Sequence, residues 1–125
     1  MSKPRCAVIG ASTDRQKFGN KSLRAHQMAG YEVYPINTSE KEVEGLPAFA
    51  SIRDIPGGSL DRVTLYVPPR VGINLLEDIA AKGCAELWLN PGTESPELIA
   101  KAEQLGLNVV TGCSIVDLGI SPAGL

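Results

Sequence analysis

Residues 6–12 read Cys6-Ala7-Val8-Ile9-Gly10-Ala11-Ser12, a compact apolar run broken by glycine and followed by small and hydroxyl side chains. A short run without alternation suits a strand covered on both faces. The glycine that closes it permits a tight turn and a close backbone approach. Working outward, the same punctuation recurs along the chain. Tyr31 to Ile36 is rich in aromatic and β-branched residues and stops at Asn37. Val63 to Val67 ends at Pro68-Pro69, Glu86 to Leu89 ends at Asn90-Pro91-Gly92, and Leu107 to Val110 ends at Thr111-Gly112.

Helix signals fill the gaps. Leu75, Leu76, Ile79 and Ala80 share one face at helical spacing, and Gly83 is a natural stop. Ser95-Pro96-Glu97 opens a helix: a capping hydroxyl, proline at the first position, and an acid at the positive end of the dipole. Leu98, Ile99, Ala102 and Leu105 give that helix a buried stripe. A weaker pattern from Asn20 to Ala29 ends at Gly30. Thr38 to Asp61 is less regular, with a short extended piece at Leu46 to Phe49 and a helical turn at Ser51 to Ile55. This strand–helix rhythm demands right-handed crossovers and a parallel sheet. The expected fold is α/β: a single Rossmann-like, three-layer domain over residues 1–125. Its sheet has five parallel strands, ordered 3-2-1-4-5 when numbered along the chain.

Composition sets the outer bounds. A length of 125 residues matches one domain, and 43% apolar with 21% charged residues is ordinary for a folded globular chain. A net charge of −2 and 5% aromatics argue against nucleic acid, and the short apolar runs argue against a membrane partner. Three scattered cysteines, one histidine and no CxxC spacing predict neither a disulfide framework nor a metal site. The N-terminus Met1-Ser2-Lys3-Pro4-Arg5 shows no signal-peptide pattern, so a cytoplasmic location is expected.

In an open parallel sheet, ligands bind outside the carboxyl ends of the strands. The first such loop runs Gly10 to Gly19: Ser12 and Thr13 offer hydroxyls, Arg15 and Lys17 offer charge, and a helix N-terminus follows. That combination suits a phosphate, although the glycine spacing matches neither GxGxxG nor a Walker loop. A plain strand-to-helix turn needs the glycine equally. The second strand ends Asn37-Thr38-Ser39-Glu40-Lys41, without the terminal acid that grips an NAD ribose. Asn37 and Lys41 suit a ribose carrying phosphate; an Asx turn explains Asn37 as well. Val67-Pro68-Pro69 forms a stiff apolar ledge for a base or a flexible arm. Asn90-Pro91 repeats that form with Asn90 as a polar handle, and either ledge also reads as a strand terminator.

Taken in order, Val8 to Ser12, Gly30 to Asn37, Gly45-Leu46-Pro47-Ala48-Phe49, Val67-Pro68-Pro69 and Trp88-Leu89-Asn90-Pro91-Gly92 resemble the stand-alone CoA-binding domain proteins. Those are similar to the N-terminal domain of the succinyl-CoA synthetase α subunit. The resemblance spans nearly the whole chain and implies a pocket for coenzyme A. It places the phosphates on the loop Gly10-Ala11-Ser12-Thr13 through Lys17-Phe18-Gly19, with Ser12 and Lys17 as contacts. It turns Asn37 and Lys41 toward the adenosine and its 3′-phosphate, and lines the adenine and pantetheine path with Val67, Pro68, Pro69, Asn90 and Pro91. The first loop departs from the synthetase pattern by lacking a closely spaced second glycine. The synthetase's phosphohistidine domain and ATP-grasp subunit have no counterpart in these residues, so synthetase activity is not expected of this chain alone.

The resemblance implies a non-catalytic sensor or carrier for CoA or an acyl-CoA, working beside partners. A different class is a small thiol-dependent redox or acyl-CoA-handling protein using Cys113, which follows the fifth strand on the ligand side; a buried, inert thiol is the plainer account. A third is an NAD(P)-binding module. His26 lies within the first helix and suits packing better than acid–base work, and Cys6 and Cys84 read as core or strand-edge residues. No general base is positioned near Asp117. The apolar tail Leu118 to Leu125 and an exposed sheet edge leave a homo-oligomer or a partner protein open.

Overall fold

The computed structural model describes residues 2–125; Met1, part of the N-terminal pentapeptide read above, lies outside the described residues. Strand β1 (Arg5–Ile9) is the middle of the fold, with Cys6, Ala7 and Val8 wholly buried. It pairs in parallel with β2 (Glu32–Ile36) on one side and with β5 (Leu60–Leu65) on the other. Beyond β5 lie β6 (Cys84–Leu89) and β7 (Val109–Thr111), also parallel, giving five strands in the order β2-β1-β5-β6-β7. The small hairpin of β3 (Glu42–Val43) and β4 (Leu46–Pro47) forms a second sheet whose Val43 is buried beside Cys6, Val8 and Leu23.

The α/β class and the five-stranded parallel sheet are as expected, but the order is not. Numbered along the chain, the five long strands run 2-1-3-4-5 rather than 3-2-1-4-5. Pro35 supplies the reason. A proline has no N–H for a ladder and belongs on an edge strand. The outer side of β2 is taken by its own connection: Phe49 N donates to Pro35 O at 2.9 Å, and Asn37 N donates to Phe49 O at 3.0 Å. The third long strand therefore pairs on the free side of β1.

Helix α1 (Phe18–Met28) follows β1. After β5, α2 (Pro69–Gly72) runs through the 3-10 turn Ile73–Leu75 into α3 (Leu76–Lys82). Helix α4 (Pro96–Gln104) opens as predicted, with Ser95 Oγ accepting from Leu98 N at 3.1 Å. Its stripe is shorter than expected: Leu98 and Ala102 are buried, but Leu105 sits at the C-cap and is 38% exposed. A short α5 (Ser114–Asp117) packs against α1. Among the described residues, no helix is long and apolar enough to cross a membrane.

Alternation along the strands separates two faces. Ala7, Ile9, Val63, Leu65, Leu87 and Leu89 meet Leu76 and Ile79 of α3 and Leu98 and Ala102 of α4 in the larger cluster. On the other face Cys6 and Val8 meet Leu23 of α1. There β5 and β6 present polar groups around the buried Trp88 ring. Arg62, its side chain 6% exposed, lies 2.8 Å from Asp117 Oδ2 and 3.0 Å from Glu86 Oε1. Its guanidinium stacks 4.7 Å from the Trp88 ring. One charge thus ties α5 to two strands.

His26 is sealed into the same layer. Its Nδ1 lies 2.8 Å from Ser22 O, and its Nε2 faces Arg62 at 3.5 Å. Tyr31 meets the ring edge-on, and Asp117 lies on the far side of Arg62. Burial above all, reinforced by the Arg62 charge and opposed by the Ser22 bond, lowers the His26 pKa to about 4. The unfolded chain takes up this proton near pH 6.5, before the folded one does. The stability due to neutral His26 is present above pH 6.5 and is lost as the pH falls toward 4, about 3 kcal/mol in all. Urea titrations at pH 7.5 and 4.5 will show a smaller loss in His26→Gln than in wild type.

Candidate functional site

The turn after β1 is built by two glycines in contact. Gly10 has φ +90°, where L side chains are strained, and a β-carbon there would lie 2.9 Å from Tyr66 O. The N–H groups of Gly10 and Ala11 both donate to Ile36 O at 3.2 Å, fastening the turn to the end of β2. A β-carbon on Gly19 would lie 2.1 Å from Gly10 O. The first turn of α1 therefore rests directly on the strand end, and its N-terminus points over the carboxyl edge of the sheet. Lys17 occupies the N-cap with no side-chain cap bond, leaving its exposed ammonium at the positive end of the helix.

Three cavities run along this edge. The first, about 470 Å³, lies between β2, β1 and α2–α3, with Gly10, Asn37, Ser51, Val67 and Asp78 among its walls. The second, about 370 Å³, is walled by Gly10, Lys17, Phe18, Gly19, Val67, Pro68 and Pro91, among others. The third, about 330 Å³, is lined by Phe18, Tyr66, Asn90, Pro91, Cys113 and Pro122. Gly10 and Val67 are shared by the first pair, and Phe18, Tyr66 and Pro91 by the second pair. The result is a groove of three adjoining cavities with shared walls, bordering the ends of five strands over about 19 Å at ordinary strand spacing. Its middle lies where connections leave β1 and β5 on opposite faces, the usual place for a ligand in an open sheet.

The family model for the CoA binding domain matches residues 4–119. This chain is a member of the CoA binding domain family. It is 32% identical over 117 residues to the α subunit of ADP-forming acetate–CoA ligase II from Pyrococcus furiosus, covering 83% of this chain. The chain spans only 25% of that subunit's length. An uncharacterized Bacillus subtilis protein, YneT, is 26% identical over 106 residues, covering 85% of this chain and 78% of its own. A conserved hypothetical protein from Pyrococcus furiosus has the same fold, with a TM-score of 0.81 at 31% identity. That match covers 93% of this chain and 99% of the other.

Within this CoA binding domain, Gly10, Lys17, Phe18, Gly19, Asn37, Val67, Pro68, Asn90, Pro91 and Cys113 line the groove. Ala11, Ser12, Thr13, Lys41 and Pro69 line none of the three cavities. Ala11 O accepts from Asn37 Nδ2 at 2.8 Å, and Ser12 Oγ accepts from Asp14 N at 3.0 Å. Asn37 forms the Asx turn as well, its Oδ1 accepting from Ser39 N and Glu40 N. The second Asn37 amide hydrogen has no partner among the described residues.

Asn90 is not the polar handle expected of it. Its Nδ2 donates to Thr64 Oγ1 at 2.7 Å and to Leu65 O at 2.8 Å. Its Oδ1 accepts from Ser114 N at 3.0 Å and from Ser114 Oγ at 3.2 Å. All four hydrogen-bonding positions of the amide are spent on the fold. Tyr66 OH turns inward onto Ser114 Oγ at 3.0 Å, and burial raises its pKa above the ordinary 10, keeping it a neutral phenol.

Sequence reading missed Ser51, Val71, Leu75 and Asp78 in the first cavity and Tyr66 and Pro122 at the other end. Leu75 and Asp78 stand three residues apart, one turn of helix, so their shared face was visible once the helix was assigned. Nothing local marked Pro122. Asn90→Ala strands Thr64, Leu65 O and Ser114 inside the protein, and should lower unfolding free energy by about 2–4 kcal/mol in denaturant titrations.

Proposed function

We propose that residues 1–125 form one domain that binds coenzyme A, or an acyl-CoA, along this groove. It serves as a carrier or sensor beside a partner and does not catalyse a reaction of its own. The observation that carries this reading is the row of three adjoining cavities with shared walls, with the α1 N-terminus and Lys17 midway. A ligand with a base at one end, a diphosphate inside it and a long flexible arm fits that sequence of surfaces. The diphosphate belongs at the first turn of α1, where free N–H groups, the helix dipole and the Lys17 ammonium add together. Ser12, two residues from the groove wall at Gly10, is assigned the same phosphates.

The adenosine is assigned to the first cavity. Ile9, Ile36, Ile52 and Val67 offer apolar walls there, and Asn37, Thr38 and Ser39 form a polar rim. Lys41 stands outside it and is assigned the 3′-phosphate, which projects toward solvent from a ribose so placed. The pantetheine arm then follows Val67, Pro68 and Pro91 toward Cys113. An NAD module is less well served, since Asn37 stands where its acid belongs and Glu40 lines no cavity. A thiol-dependent role has one observation in its favour, the presence of Cys113 at the far end of the groove.

Isothermal titration against CoA, dephospho-CoA, NAD⁺, NADP⁺ and ATP under reducing conditions tests the proposal. CoA should bind most tightly and dephospho-CoA more weakly. Lys17→Ala should lower CoA affinity roughly tenfold, about 1.4 kcal/mol, with a weaker salt dependence than wild type. Tighter binding of NADP⁺ than of CoA overturns the assignment. Formation of a Cys113–CoA adduct under mild oxidation, absent in Cys113→Ser, moves it to the thiol class.

A further inference from the structure

We propose that Glu44, at the tip of the β3–β4 hairpin, is a positioning residue for the ligand's phosphates: its carboxylate clasps the loop from Ser12 to Lys17 in the shape that receives them. This rests on the reading that the groove holds coenzyme A with its diphosphate at the α1 N-terminus. Glu44 and Gly45 are the two residues between the paired Val43 and Leu46. Both have positive φ, +50° and +78°, the form of two-residue turn that asparagine–glycine favours. Among the described residues, Glu44 is the only non-glycine with a positive φ. Glutamate suits that conformation poorly, and such strain persists where the surroundings hold the residue to another task.

The task is at the phosphate loop. Glu44 Oε2 accepts from Asn20 Nδ2 at 3.1 Å and lies 3.5 Å from Arg15 Nε, with the glutamate side chain only 23% exposed. Asn20, wholly buried in the first turn of α1, also donates through Nδ2 to Ser12 O at 2.8 Å. Its Oδ1 accepts from Arg24 Nε at 2.7 Å, and Arg24 Nη2 donates to Arg15 O at 3.1 Å. Two α1 side chains therefore hold the loop at Ser12 and Arg15, and Glu44 locks Asn20, the one that joins them. Val43, one residue back, is buried in the cluster with Cys6, Val8 and Leu23, so the clasp is anchored in the core. An asparagine at position 44 would suit the turn and fall one methylene short of Asn20.

Charge and geometry predict opposite signs. Glu44 is an acid beside a loop assigned a diphosphate, so by Coulomb repulsion alone its removal should tighten binding. As a clasp, its removal lets the loop leave the receiving shape, and the apparent affinity falls with the fraction of molecules that keep it. In Glu44→Asn the relief of turn strain offsets the lost hydrogen bond, so the fold as a whole should change little in stability.

Isothermal titration of CoA into the whole chain, as wild type, Glu44→Asn and Glu44→Gln, tests the clasp. Glu44→Asn should lower CoA affinity roughly fivefold while its melting temperature stays within about 3 °C of wild type. Glu44→Gln keeps an acceptor oxygen at the same reach and should bind CoA within about twofold of wild type. Without ligand, the Gln16 and Lys17 amides, which donate to Asp14 Oδ1 and to Asp14 O, should exchange hydrogen faster in Glu44→Asn than in wild type. Affinity in Glu44→Asn equal to or above wild type overturns the clasp, as does an equal loss in both variants. A larger fall in melting temperature accompanying the loss makes Glu44 merely structural and overturns it as well. Unchanged exchange at Gln16 and Lys17, with CoA still bound by wild type, overturns the clasp and leaves the CoA groove standing. Failure of wild type to bind CoA overturns the groove reading and this inference together.

Discussion

The ligand edge depends on one close contact: the first turn of α1 resting on the carbonyl of Gly10, at a distance that admits no side chain at Gly19. Three pieces of chain converge there. The β1 turn is pinned to the end of β2 through Ile36 O, α1 begins on top of it, and Tyr66 at the end of β5 closes from the other side. Any side chain at either glycine would separate these pieces. The helix start would lift off the strand end, and the middle of the groove would lose both its shape and its positive pole. That contact holds the dipole, the Lys17 ammonium and the apolar ledges at Val67 and Pro91 around a single cavity.

The two faces of the sheet do different jobs. The α3–α4 face is hydrocarbon and carries the larger apolar core. The α1–α5 face is polar over β5 and β6, where Arg62 gathers Glu86 and Asp117, and Asn90 gathers Thr64 and Ser114. A buried ion pair repays its desolvation poorly, so this layer is better understood through geometry than through stability. Both networks end on α5, a helix too short to hold itself. They fix the position of Cys113 and the start of the C-terminal turn, and so shape the far end of the groove.

Local signals carried the element types well. The Ser95-Pro96 opening, the glycine stops and the short apolar runs all translated directly into structure, because each depends on a few neighbouring residues. The family resemblance rested on an ordered set of such short strings. Strand order was harder, since it is decided by which edges are free. Pro35 marked β2 as an edge strand, and that constraint already disfavoured an order placing β2 inside the sheet. The role of Asn90 was not legible, because its partners stand about 25 residues away in each direction and nothing near position 90 announces them. The same distance hid Pro122, whose turn is tied to α1 by Lys21 Nζ donating to Pro122 O and by Arg24 donating to Leu125 O.

The two margins of the sheet are unequal. At β2 the connection folds back and occupies the outer side at Pro35, where no donor exists in any case. At β7 three residues pair only inward, with β6. The sheet is therefore polarised for growth. Beside β7 no further strand pairs among the described residues, whereas the outer side of β2 is already taken by Phe49. Insertions and fusions are best tolerated when they approach from the β7 side, and a charge placed on β7 is the economical way to keep such approaches from happening unintended.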